Sequence, residues 1–126
     1  MGRSAGRLRQ IYQDISSSHN VTTATTTTTE VAGKTNDTIY IQSWRVRITT
    51  GSPGVTWTLR DDNGTPVPIS GTLDASAANV DYTSPEMPAG QALTVSQGLV
   101  LAISAAGAAG HVEWTGYRKR TTVAAA

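Results

Sequence analysis

The segment TIYIQSWRVRITT, Thr38 to Thr50, constrains the fold more than any other part of the chain. Its apolar residues recur at every second position, the period of a strand whose two faces meet different surroundings. Ile39 and Ile41 are odd-numbered, whereas Trp44, Val46 and Ile48 are even-numbered. A strand keeps one face toward the core across such a slip only by inserting a residue, so the change of phase at Gln42 and Ser43 predicts a β-bulge. Arg45 and Arg47 then lie on the face opposite Trp44, Val46 and Ile48.

The same period recurs downstream. Val55, Trp57 and Leu59 alternate with Thr56, Thr58 and Arg60, and the strand ends in DDNGTP, a turn signal in which Asn-Gly tolerates positive φ. PVPIS carries too much proline for a central strand and reads as an edge. Weaker strands surround Leu73 and the pair Val80 and Tyr82. SPEMPAGQ is a loop. Two short strands follow, Leu93 to Ser96 and Leu99 to Ser104, with Gly98 as a bulge or bend between them. The last strand, HVEWTGYRKR, places Val112, Trp114 and Gly116 on one face and His111, Glu113, Thr115 and Tyr117 on the other. About eight short strands separated by Gly, Pro and Asn turns describe an all-β protein, an antiparallel β-sandwich or jelly roll. Its predicted core comprises Ile39, Ile41, Trp44, Val46, Ile48, Val55, Trp57, Leu59, Leu93, Val95, Leu99, Leu101, Ile103, Val112 and Trp114. No Phe occurs, so tryptophan and tyrosine supply the aromatic packing.

Two stretches precede this region. VTTATTTTTE places seven threonines among the nine positions Thr22 to Glu30. A mucin-like stalk would carry interspersed prolines, and none occurs between Met1 and Ser52. Branched Cβ atoms beside a turn favour a first strand, placed at an edge or a subunit contact. Before it, RLRQIYQDI sets Leu8, Ile11, Tyr12 and Ile15 at spacings of three and four, one face of a short amphipathic helix. Two or three turns are marginal alone in water, so this helix needs a surface, either its own domain or another subunit. The expected organisation is an N-terminal helical arm over residues 1–20, a β-sandwich over 21–120 and a flexible tail over 121–126.

The chain has 126 residues, enough for one domain with a single core. Its formal charge of +1 argues against a nucleic-acid partner. Arginines nevertheless gather at both ends, as Arg3, Arg7 and Arg9 and as Arg118 and Arg120 beside Lys119. There is no cysteine, which excludes disulfides and thiolate metal sites. The N-terminal segment has no apolar stretch of the secretory type, and the longest apolar run, Leu99 to Ile103, is too short for a bilayer, so no membrane partner is expected.

No catalytic constellation stands out. His111 and Glu113 share a strand face, but two ligands do not make a zinc site. The run Asp61-Asp62-Asn63-Gly64 lacks the spacing of a calcium loop. Glu30, Glu86 and Glu113 provide no pair that a glycosidase would need. Trp57 and Trp114 suit a sugar-stacking platform as well as a core, and the absence of Phe favours the core. Arg45, Arg47 and Arg60 are outward charges that either dock an acidic partner or face solvent. No enzyme activity, metal or cofactor is expected.

A Thr/Ser-rich first strand, then AGKTNDTIYIQSWRVRITT, then GVTWTLRDDNGTPVPISGTL, then MPAGQALTVSQGLVLAISAAGAAGHVEWTGYR follow one another across Thr22 to Arg118. In that order they resemble small β-sandwich proteins encoded among phage structural genes, most of all the capsid decoration (cement) proteins. The resemblance implies a virion protein on the outer capsid surface, made in the host bacterial cytoplasm, forming a homotrimer and binding the major capsid protein. The arm lies outside the resembling pattern. Arg3, Arg7, Leu8, Arg9, Ile11, Tyr12 and Ile15 are its capsid-docking candidates, and deleting residues 1–18 is expected to abolish docking while leaving the fold intact. The alternative is a carbohydrate- or receptor-binding module of a phage tail or fibre.

Overall fold

The computed structural model describes residues 8–66 and 68–123. Among these residues it forms nine strands and no helix: β1 (Leu8–Val21), β2 (Thr28–Val31), β3 (Asp37–Thr50), β4 (Thr56–Asp61), β5 (Leu73–Asp74), β6 (Val80–Thr83), β7 (Gln91–Ala92), β8 (Leu99–Ile103) and β9 (Ala109–Val123). The larger sheet has the order β1-β9-β3-β6, with β7 also paired to β3, and the smaller has the order β2-β8-β4-β5. Every pairing is antiparallel.

The phase slip in β3 is a register shift against β9. Ile41 pairs with Gly116 and Ser43 with Thr115, which leaves Gln42 as the inserted residue. Ile39 and Ile41 before the bulge, and Val46 and Ile48 after it, therefore all face inward and are buried. Gly116 sits opposite the bulge, where a Cβ would collide with the carbonyl oxygen of Tyr40. Only glycine allows that approach.

One apolar cluster joins the two sheets face to face. The larger sheet contributes Ile39, Ile41, Val46, Ile48, Val112 and Trp114, and the smaller contributes Val55, Trp57, Leu59, Leu99, Leu101 and Ile103. Leu93 joins from the loop after β7, and Trp44 packs against the cluster while half-buried. Val95 is the exception among the expected core residues, being 55% exposed. The chain turns there, with the Gln97 amide bonded to the Thr94 carbonyl and Ser96 at φ 68°. The strand expected at Leu93 to Ser96 is displaced to Gln91–Ala92.

The N-terminal helix is replaced by β1, whose fourteen residues pair with β9 in one unbroken register from Leu8–Val123 to Val21–Gly110. The helical spacing of apolar residues was real, but a lone helix of two turns gains little. Pairing along a long neighbour satisfies backbone groups over the whole segment. Ser16, Ser17 and Ser18 also weaken a helix. Ile15 packs against the core and Val21 lies within it, so this segment is part of the sandwich.

The threonine tract divides. Thr22 to Thr27 form a turn in which the Thr25 amide bonds the Thr22 carbonyl and the two hydroxyls meet at 2.9 Å. Only Thr28–Val31 is a strand, at one edge of the smaller sheet. Threonine hydroxyls compete locally for the backbone, and here they win over the strand preference. At the other end, Thr121, Thr122 and Val123 continue β9 where a tail was expected.

DDNGTP is a turn, but it is not closed by positive φ at Asn63. The buried Asp61 carboxylate accepts the Asn63 amide at 3.2 Å and the Thr94 amide at 3.0 Å, tying the turn to the distant 94–97 turn. Beyond it Pro68 bridges Arg60, as an edge segment should.

Candidate interaction surface

The longest open edge belongs to β1. Among the described residues the other edge strands, β6 and β7 beside β3 and β2 and β5 in the smaller sheet, have four, two, four and two residues, whereas β1 has fourteen. β1 contains no proline and no break in register. A long edge of this kind offers unpaired amides and carbonyls to another chain, which proteins ordinarily block with proline, bulges or lysine. Leu8 to Gln10 and Thr121 to Val123 pair with each other beyond Asp37, the first residue of β3, so the β1–β9 ribbon outruns its neighbour.

The arrangement splits the docking set read from sequence. Arg3 and Arg7 lie outside the described residues. The backbones of Leu8, Arg9 and Ile11 pair with Val123, Thr122 and Arg120. Tyr12 is 58% exposed on the outer face, and Ile15 faces the core. A helix would have joined Tyr12 and Ile15 on one side, whereas the strand separates them.

Beside the edge, the outer face carries an aromatic row. Tyr40 and Tyr117 stack at 4.8 Å, Tyr12 lies 6.0 Å from Tyr117, and the Lys119 ammonium stands 5.9 Å above the Tyr12 ring. The Tyr117 hydroxyl donates to the Ala89 carbonyl. Further along, hydroxyl groups dominate. Ser43 and Thr115 meet at 2.6 Å, near an open hollow of about 620 Å³ that Ser16, Ser18 and Glu113 also line.

Both ring nitrogens of His111 are engaged, Nε2 with Ser18 Oγ at 2.8 Å and Nδ1 with Asn20 Oδ1 at 2.9 Å. Since the Asn20 oxygen can only accept, Nδ1 carries a proton. His111 and Glu113 are neighbours on one face, and the His111 ring is tied to β1 through Ser18 and Asn20. No group of three His, Cys, Asp or Glu that would hold a metal occurs among the described residues. Arg45 donates to Asp81 at 2.6 and 3.0 Å and lies 3.8 Å from Glu113. The hydrogen bonds from Arg45 hold the Asp81 carboxyl below its ordinary pKa, and the Arg45 and Arg47 charges act in the same direction.

The tryptophans do not form a platform. Trp57 and Trp114 are both buried, so no sugar ring can stack on them. Trp114 instead reaches a carboxylate that no local pattern singles out. Glu30, with a side chain only 1% exposed, accepts from Trp114 Nε1 at 3.0 Å, from His19 Nε2 at 2.8 Å and from Thr28 Oγ1 at 3.1 Å. This clasp ties β2 of the smaller sheet to β1 and β9 of the larger.

No protein-family model matches the chain, and no curated protein matches it in sequence. Among solved structures it is similar to a chain of the disulfide-linked pili of Bacillus endospore appendages, with 16% identity, 96% coverage of both chains and a TM-score of 0.48. It is also similar to chains of infectious bursal disease virus. For the Gt strain the identity is 15% and the TM-score 0.38, with 94% of this chain and 34% of the viral chain covered. For the Gx strain the identity is 16% and the TM-score 0.37, with 96% and 38% covered. This chain therefore spans little more than a third of the viral chains it matches.

Proposed function

We propose that the protein is a non-catalytic structural subunit of a phage virion, a decoration protein that binds the outer surface of the head and bridges major capsid subunits. The open fourteen-residue edge of β1 is the observation that carries this reading. An extended segment of the major capsid protein adds to that edge as a further strand, so backbone hydrogen bonds supply affinity and side chains on the flanking faces supply selectivity. The strand order β1-β9-β3-β6 against β2-β8-β4-β5, in which the chain repeatedly crosses between sheets, is that of a jelly roll, a rigid frame for such an edge.

Self-association as a trimer completes the reading. Three edges on one particle then bind neighbouring capsid subunits together, and each engagement raises the effective concentration for the next. Contacts made only with the assembled shell stabilise it by mass action.

The test is co-sedimentation of the purified protein with phage heads and, separately, with tails. Saturable binding to heads at a fixed ratio is the expected result. Binding confined to tails or host cells would overturn the reading.

A further inference from the structure

At the end of the sandwich beneath the β1–β9 ribbon, Gln13, Lys34, Asp37, Arg118 and Arg120 line a hollow of about 150 Å³. The charges around it do not balance: three cations face the single carboxylate of Asp37. That carboxylate is buried and is already bound at 2.6 Å by Nε of Arg120. Arg118 is left short of partners. Its side chain is only 7% exposed and its Nη1 stands 3.6 Å from Asp37, an ion pair too long for a good hydrogen bond. Nη2 donates to the Ala32 carbonyl at 3.0 Å, while Nε and Nη1 are shielded from solvent without a hydrogen-bond partner among the described residues. A guanidinium kept this dry without full compensation is costly, and nearby negative charge relieves that cost.

We propose that this hollow binds a tetrahedral oxyanion of the size of phosphate. Lys34 and the terminal nitrogens of Arg120 contact the anion directly, one as a mobile point charge and the other as a planar fork. Arg118 contributes its charge from behind them, where poor solvation strengthens the attraction. Gln13, the cross-strand partner of Arg118, supplies an amide donor from β1. Asp37 holds the two arginines in place and sets a limit on affinity by opposing the anion.

Inorganic phosphate titrated into the purified full chain at constant ionic strength, with chloride as the balancing salt, tests the site without any virion. Calorimetry is expected to show saturable binding, accompanied by a rise in Tm beyond the chloride control. Lys34→Gln is expected to weaken binding about tenfold, the loss of one charge-assisted hydrogen bond, while leaving the Tm in chloride unchanged. Arg118→Met is expected to abolish binding. Phosphate effects no greater than those of chloride, or unchanged affinity in Lys34→Gln, would overturn the proposal.

Discussion

The two sheets of this sandwich are built to different lengths. In the larger, β1, β3 and β9 run for 14, 14 and 15 residues. In the smaller, the longest strand, β4, has six residues. Yet the smaller sheet supplies much of the core, including Trp57, Leu59, Leu99 and Leu101, all fully buried. The shorter sheet acts mainly as a cover that seals the apolar face. The longer sheet has more strand than the core requires, and under the proposed function its outer face and edge engage other molecules. If that reading holds, stability and recognition lie on different surfaces, and substitutions should separate them.

The largest effect is expected where the cover meets the core. Trp57→Ala should cost about 3–5 kcal/mol in chemical denaturation, the usual consequence of emptying a large buried site. Glu30→Ala, which breaks the clasp between the sheets, should cost about 2 kcal/mol, because it leaves the buried indole N–H of Trp114 without its acceptor. A loss well under 1 kcal/mol would mean that apolar contact alone holds the sheets in register.

Proline substitutions sharpen the contrast on β1 itself. In an antiparallel ladder, successive residues direct their amides alternately toward the partner strand and away from it. Of Ser16→Pro and Ser17→Pro, one should therefore lose a bond to β9 and destabilise the fold by about 3 kcal/mol. The other should keep its melting temperature within a few degrees and lose binding to heads. Deleting residues 1–18 should not give a folded, non-binding protein, as a helical arm would have done, because it removes Ile15 from its place against the core.

The smallest effect is electrostatic. Asp81 has its folded pKa lowered, first by the hydrogen bonds from Arg45, so its contribution is present above the ordinary aspartate pKa and fades as pH falls through the lowered value. Both side chains are open to solvent, which keeps the effect small. Protection of the Val80–Thr83 amides, relative to their intrinsic exchange rates, should fall below that range in the native protein, and Arg45→Gln should remove the dependence.

Much of the core was legible because alternation reports which face of a strand is buried. The slip at Gln42 and Ser43 located the bulge to within a residue. Alternation failed at Val95, where a residue at positive φ turns the chain and no apolar period can signal it. It was misleading at β1, where Leu8, Ile11, Tyr12 and Ile15 satisfy a helical spacing and only the pairing with β9, about a hundred residues away, decides. The buried carboxylates were hidden for the same reason. Glu30 meets Trp114 across 84 positions and Asp37 meets Arg120 across 83, so neither pairing leaves a local mark.

Under the proposed function the edge of β1 is an assembly surface and not simply part of the shell. Head co-sedimentation of the proline variant that retains its native melting temperature tests this most directly. Binding is expected to be lost while the oligomeric state in solution is unchanged. Undiminished, saturable binding by that folded variant would contradict it.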